Sequence, residues 1–222
     1  MNYKSIAIDG PAGSGKSTTA KSVARGLCFT YIDTGAMYRA ITLKALNLKI
    51  KDLADEKQYE FIKDTRLDFI DGKLYMDSVD VSKEIRSEEV VKNVSLVSSL
   101  KYVRDLLVQE QRNLAKRANV VMDGRDIGTN VLKDADLKIF LNASVEVRAK
   151  RRYAELVEAK SHMTYEDVYK DIIRRDTYDS TREHNPLKQA DDAILIDTSD
   201  QTIEETAQII MHLFKDKELK NE

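Results

Sequence analysis

The chain has 222 residues, and its 36 basic and 38 acidic side chains give a formal net charge of -2. That length suits a single α/β domain with a small insertion, and the charge balance argues against a global attraction to nucleic acid or an anionic membrane. A single cysteine, Cys28, excludes an intramolecular disulfide and any multi-cysteine metal site, and the three histidines (His162, His184, His212) show no ligand spacing.

From the N-terminus, residues 1–4 run directly into an apolar stretch, so no secretory leader is expected. No apolar run approaches the roughly 20 residues that span a bilayer, and a cytoplasmic protein is expected. Short apolar runs at 5–9, 29–33, 120–122, 137–141 and 193–196 predict parallel strands covered by helices. Helices are predicted at 16–26, 35–47, 98–117, 145–160 and 204–214, the last with Ile203, Ala207, Ile210 and Phe214 on one face. Residues 57–97 break the alternation. Runs at 67–70 and 73–76 flank Asp71-Gly72, a hairpin signal, with a third strand at Val79-Asp80-Val81 and a short helix at 87–94 opened by Ser87. This segment is read as a small antiparallel insertion in a domain spanning 1–222. The charged tail, 215–222, is expected to fray.

Residues 10–17 read Gly10-Pro11-Ala12-Gly13-Ser14-Gly15-Lys16-Ser17, between the first strand and a helix-forming stretch that opens with Thr18. Glycines there let successive backbone N–H groups point into one concavity at a helix N-terminus. Lys16 would reach the β- and γ-phosphates and the Ser17 hydroxyl a Mg²⁺ ion, so a nucleoside triphosphate is the expected ligand. Switch GTPases, motor ATPases and small-molecule kinases share this loop, and the other half of the site must decide among them.

Three further features bear on that choice. Asp33-Thr34-Gly35-Ala36-Met37-Tyr38-Arg39 ends the second strand, where an open parallel sheet binds ligands. Arg39 there suits a phosphate and Thr34 a hydrogen bond, the plain alternative being a helix start capped by Thr34. Asp123-Gly124-Arg125-Asp126 ends another strand. Asp123 suits Mg²⁺, Arg125 a phosphate and Asp126 an exocyclic amine, against the alternative of a structural ion pair. Arginines then concentrate at Arg148, Arg151, Arg152, Arg174, Arg175 and Arg182, on two helices flanking the polar loop 159–164. That layout suits a closing lid spanning 151–182, with Arg174 and Arg148 as bystanders.

Together these residues resemble the bacterial cytidylate kinases from Ile6 to about Leu213. The resemblance rests on 10–17, 33–39, Asp80-Val81-Ser82 with Ile85-Arg86-Ser87, 123–129, and Arg175-Asp176 through Asp179-Ser180-Thr181-Arg182 to Pro186-Leu187. It implies a P-loop kinase α/β/α fold with five parallel strands, and it implies that 57–97 binds the nucleoside monophosphate. ATP and Mg²⁺ would be the cofactors and CMP or dCMP the acceptor, in pyrimidine metabolism, with the chain acting as a monomer. Lys16 and the loop amides, through Thr18, would hold ATP. Arg39, Arg125 and Arg175 would clamp the acceptor phosphate or the transferring group, joined by Arg151 and Arg152 from the lid. Ser95, Arg104 and Asp126 would read cytosine, and Asp179 the sugar hydroxyls, with Thr34, Tyr38 and Arg182 nearby. The rivals are another small kinase of uridylate or shikimate type, or a P-loop switch. A switch would need a guanine-reading Asn-Lys-x-Asp, which no strand end carries.

Overall fold

The computed structural model describes residues 3–70, 72–158 and 162–219. In chain order the elements are β1 (Ser5–Asp9), α1 (Lys16–Leu27), β2 (Thr30–Asp33), α2 (Thr34–Asn47) and a 3-10 stretch (Glu56–Asp64). Then come β3 (Leu67–Ile70), β4 (Lys73–Met76), β5 (Val79–Asp80), α3 (Glu88–Val97), α4 (Lys101–Ala115) and β6 (Val120–Gly124). A π-type turn (Ile127–Val131) leads to β7 (Leu137–Asn142), α5 (Val145–Glu158), α6 (Tyr165–Thr181), β8 (Ile194–Asp197) and α7 (Ile203–Leu219). The chain divides into two compact units, one of Met1–Tyr31 with Ala118–Glu222 and the other of Ile32–Arg117.

The first unit is built on the five-stranded sheet, ordered β2-β6-β1-β7-β8, with β1 parallel to both β6 and β7 and β7 parallel to β8. Parallel neighbours require crossovers, and helices supply them. Burial on both faces explains why the strands read as unbroken apolar runs. Ile6, Ile8, Val121, Ile139 and Leu141 are buried together with Val23 and Ala24 of α1 and Ala207, Ile210 and Phe214 of α7. Phe29 meets Phe214 edge to face at 5.5 Å. The register sets Ile8 beside Asp123 and Asp9 beside Gly124, so the carboxyl ends of β1 and β6 lie level. A smaller cluster of Ala149, Val168 and Ile172 joins α5 to α6.

The second unit packs α2 against α3 and the antiparallel sheet β3-β4-β5. Its buried side chains include Met37 and Ile41, Leu74 and Met76, and Val90, Val94 and Val97. The expected hairpin forms, with Leu67 opposite Met76 and Ile70 opposite Lys73, and Gly72 adopts φ 75° at its turn. Asp71 of the turn pair lies outside the described residues, as do 159–161 of the polar loop and 220–222 of the tail.

Three local expectations change. The helix expected at 98–117 starts only at Lys101, because α3 runs on to Val97. The Ser98 and Ser99 hydroxyls then bond the carbonyls of Ser95 and Leu96, which closes α3. Ser87 stands at the N-terminus of α3 without a side-chain cap bond, leaving Glu88 and Glu89 to complement the helix dipole. The tail remains helical to Leu219, held by buried Phe214 and by an ion pair from Glu218 to Lys4. No described helix is long and apolar enough to cross a membrane.

Leu141 is fully buried in this core while Leu195, on the edge strand, is 55% exposed. Leu141→Ala is expected to cost about 2–5 kcal/mol of unfolding free energy, and Leu195→Ala less than about 0.5 kcal/mol, as read by urea denaturation.

Candidate active site

The loop between β1 and α1 has a backbone that its side chains dictate. Gly10 adopts φ 155°, and a Cβ there would sit 2.1 Å from the Leu141 carbonyl oxygen, so only glycine fits. Gly15 at φ 82° starts α1 with no side chain to cap it, and the first turn carries no acidic residue. By contrast, α6 has Glu166 and Asp167 in its first turn and a capping box from Thr164. The N-terminus of α1 is therefore left as a site for an external anion.

Lys16 is buried and donates from Nζ to the Pro11 carbonyl at 3.0 Å. Burial, then the neighbouring Arg125 and Arg175, push its ammonium down to about 7 against the pull of Asp123 and Asp179. Ser17 Oγ donates to Asp123 Oδ2 and Tyr31 Oη to Asp123 Oδ1, both at 2.7 Å. The predicted Mg²⁺ pair of Ser17 and Asp123 is thus brought together by the β1–β6 register.

Beyond β6, Arg125 and Asp126 each reach the end of α6, so that both enter ion pairs, the plain alternative weighed for this turn. Arg125 Nε donates to Asp179 Oδ2 at 2.7 Å. Arg182 Nη2 donates to Asp126 Oδ1 at 3.0 Å, and Asn130 Nδ2 to Asp126 Oδ2 at 3.1 Å. Burial alone would raise the Asp179 carboxyl, yet Arg125, Arg175 and Arg182 together hold it below its usual range.

In the second unit, Asp33 rather than Thr34 caps α2, accepting from the Ala36 N–H at 2.7 Å. The same carboxylate takes Arg39 Nη2 at 2.9 Å, so Arg39 is held on its own turn, not solvated. Arg104 is 1% exposed; its Nη1 donates to the Ser98 carbonyl at 3.0 Å and its guanidinium lies 5.4 Å from the centre of the Tyr38 ring. Ser95 is half-buried one turn before that carbonyl. Thr34 and Tyr38 are both buried.

Comparison with known proteins places these features. A family model described as cytidylate kinase matches residues 6–216. The chain is 51% identical over 207 residues to the cytidylate kinase of Fusobacterium nucleatum, covering 92% of this chain and 94% of that one. It is 49% identical over 216 residues to the cytidylate kinase of Alkaliphilus oremlandii, covering 97% and 99%. The chain belongs to the cytidylate kinase family. The fold is shared more widely: shikimate kinase from Bacteroides thetaiotaomicron superposes with a TM-score of 0.50 at 15% identity, over 96% of this chain and 98% of that one.

Within this cytidylate kinase family member, Arg148 is no bystander. It is buried, donating from Nε to the Ala143 carbonyl at 2.9 Å and from Nη1 to the Ala12 carbonyl at 3.0 Å and Asp176 Oδ2 at 2.5 Å. It therefore ties the phosphate loop to α5 and α6. Gly13 lies against it, and a Cβ at Gly13 would come 3.1 Å from both Arg148 Cβ and its carbonyl oxygen. Arg174 is exposed and pairs with Asp171, as a bystander would. Arg151 bonds Thr198, through Nη1 to Oγ1 at 3.2 Å and through Nη2 to the carbonyl at 2.5 Å. Thr198 Oγ1 in turn lies 3.1 Å from the Ser14 carbonyl. Arg152 pairs with Glu155 near the surface, and Arg175 is half-buried within range of Lys16 and Asp179.

Sequence reasoning missed Thr198, Tyr31 and Asp9. Thr198 and Tyr31 carry no local signal, since their partners are remote in sequence. Asp9 did carry one, as a buried carboxylate closing an otherwise apolar strand.

Replacing Arg148 by methionine leaves Asp176 and two carbonyls without their donor. Arg148→Met is expected to cost about 3–5 kcal/mol in denaturant unfolding, and Arg174→Met less than about 0.5 kcal/mol. Equal effects at the two positions would contradict the anchoring role.

Proposed function

We propose that the chain catalyses reversible transfer of the γ-phosphoryl group of ATP to CMP or dCMP, giving ADP and CDP or dCDP. The observation that carries this reading is the gathering of Lys16, Arg125 and Arg175 at the phosphate loop, where burial first and the two arginines next depress the lysine. Cations held against one another beside an uncapped helix N-terminus are arranged for a polyanion. Membership of the cytidylate kinase family supplies the acceptor.

On this reading the loop Gly10, Pro11, Ala12, Gly13, Ser14, Gly15, Lys16, Ser17 and Thr18 holds the ATP phosphates through its backbone N–H groups, Pro11 having none to give, together with the Lys16 ammonium. The oxygen donors of Ser17 and Asp123, 2.7 Å apart, suit a hard divalent cation and would hold Mg²⁺. Bound there, Mg²⁺ supplies charge neutralisation at the β- and γ-phosphates. Arg39, Arg125 and Arg175 take the acceptor phosphate or the transferring group, with Arg151 and Arg152 as lid residues of 151–182. Ser95, Arg104 and Asp126 read the cytosine edge. Its N4 amine is a donor suited to a carboxylate, and its N3 and O2 are acceptors suited to hydroxyl and guanidinium. Asp179 takes the sugar hydroxyls, assisted by Thr34, Tyr38 and Arg182.

The acceptor oxygen is already an anion, so catalysis needs no strong general base. It needs in-line placement and fixed positive charge, with water kept from intercepting the phosphoryl group. The Arg125–Asp179 and Arg182–Asp126 pairs keep both arginines placed and desolvated before substrate arrives, which lowers the reorganisation required. The near-neutral charge of the chain supports small nucleotides rather than nucleic acid as its partners, with the enzyme a cytoplasmic monomer.

Coupled measurement of ADP release tests the reading: turnover should depend on added CMP, and turnover indifferent to CMP would overturn it. Lys16→Ala should lower kcat by at least about 100-fold. Asp126→Ala should raise the KM for CMP by about 5- to 100-fold and relax the preference for CMP over UMP.

A further inference from the structure

Asp9 is the last residue of β1, directly before the first glycine of the phosphate loop, and has no part in the roles assigned above. It is 3% exposed, and its two oxygens accept hydrogen bonds from two successive amides: Oδ1 from the Ile127 N–H at 2.8 Å and Oδ2 from the Gly128 N–H at 2.7 Å. Two bonds from adjacent residues to one rigid carboxylate fix both the position and the tilt of the acceptor segment, where a single bond would leave a swivel. The segment so fixed begins at Asp126, whose side chain meets Arg182 and Asn130 and whose carbonyl accepts the Asn130 N–H at 2.9 Å.

We propose that Asp9 is a positioning residue for acceptor choice: by clamping the amides of Ile127 and Gly128 it sets where the Asp126 carboxylate meets the base. This rests on the reading of Asp126 as a reader of cytosine. The clamp fits a carboxylate and nothing smaller. An asparagine would accept from one amide and turn an N–H toward the other, and a serine or threonine has one oxygen for two donors. Holding a carboxylate there is costly, because burial pushes it up to about 7 despite the two amides and nearby Lys16. Close packing completes the seam: a Cβ at Gly128 would lie 3.4 Å from Asp9 Oδ2 and 3.2 Å from the Lys138 side chain.

A carboxylate that merely braced the fold would affect both substrates alike, and one that acted on the adjacent phosphate loop would affect ATP. Positioning of Asp126 affects the base instead. Steady-state kinetics of Asp9→Asn with CMP, UMP and ATP separate these cases. The KM for CMP and the loss of CMP-over-UMP preference should each change by about tenfold, with the KM for ATP within about twofold of wild type. Adding Asp9→Asn to Asp126→Ala should reduce the CMP-over-UMP ratio no further, because both act through one group. Gly128→Ala, which keeps the acceptor but crowds the seam, should give the same pattern if Asp9→Asn fails to fold. An ATP KM that rises as much as that for CMP overturns the inference. So does an unchanged CMP-over-UMP ratio in Asp9→Asn where Asp126→Ala relaxes it. If Asp126→Ala itself leaves the ratio intact, the assignment of the base reader falls, and this inference with it.

Discussion

Buried positive charge at the carboxyl edge of β1 is the constraint around which the first unit is organised. Lys16 has been taken out of water beside two arginines, and burial first and those arginines next depress its ammonium. A site of this kind persists only if each neighbouring cation has a local anchor. Arg125 has Asp179, Arg182 has Asp126 and the Asn185 carbonyl, and Arg148 has Asp176 with two backbone carbonyls. Buried ion pairs roughly break even against their desolvation cost. An arginine so anchored is already held and desolvated when a further anion arrives. A solvated arginine would first have to shed water and rotamer freedom.

The anchors also explain the chain order. The strand ends at Asp9 and Asp123 are level because β1 and β6 are hydrogen-bonded neighbours, though far apart in sequence. Asp176 and Asp179 of α6 and Arg182 at its C-cap then follow at three-residue intervals, so the end of one helix reaches the phosphate loop through Arg148 and the β6 turn through Arg125 and Asp126. Bending that helix would disturb three bonds at once, which is a mechanical reason for the acidic residues along it.

Much of this was legible in sequence because its signals are local. The glycine loop, the apolar parallel strands and the hairpin at Gly72 each follow from a few adjacent residues, and each formed as expected. Arg148 was not legible. In a stripe of arginines it looks like Arg174, and what distinguishes it is a pair of backbone carbonyls, one of them at Ala12, that no periodicity reports. The partner of Arg125 was not legible for the same reason, since Asp179 lies 54 residues away in sequence and is brought near only by the fold. The boundary between α3 and α4 failed on a subtler point: serines at 98 and 99 suit either a helix start or a helix end, and their hydroxyls here close the preceding helix.

The proposed use of Asp126 has a consequence for selectivity that the ion pair sharpens. Against cytosine, the carboxylate keeps Arg182 on one oxygen and gains the N4 amine as a further donor. Against uracil, the same position presents an O4 lone pair to a carboxylate oxygen, so the wrong base meets repulsion in addition to losing a bond. Asn130 and Arg182 hold Asp126 in place, so it cannot swing away to relieve that clash. A buried group left unpaired or opposed discriminates more strongly than any gain in contact with the right ligand. A clamp on the backbone beneath Asp126 belongs to the same logic, because repulsion discriminates only if the repelling group is unable to retreat.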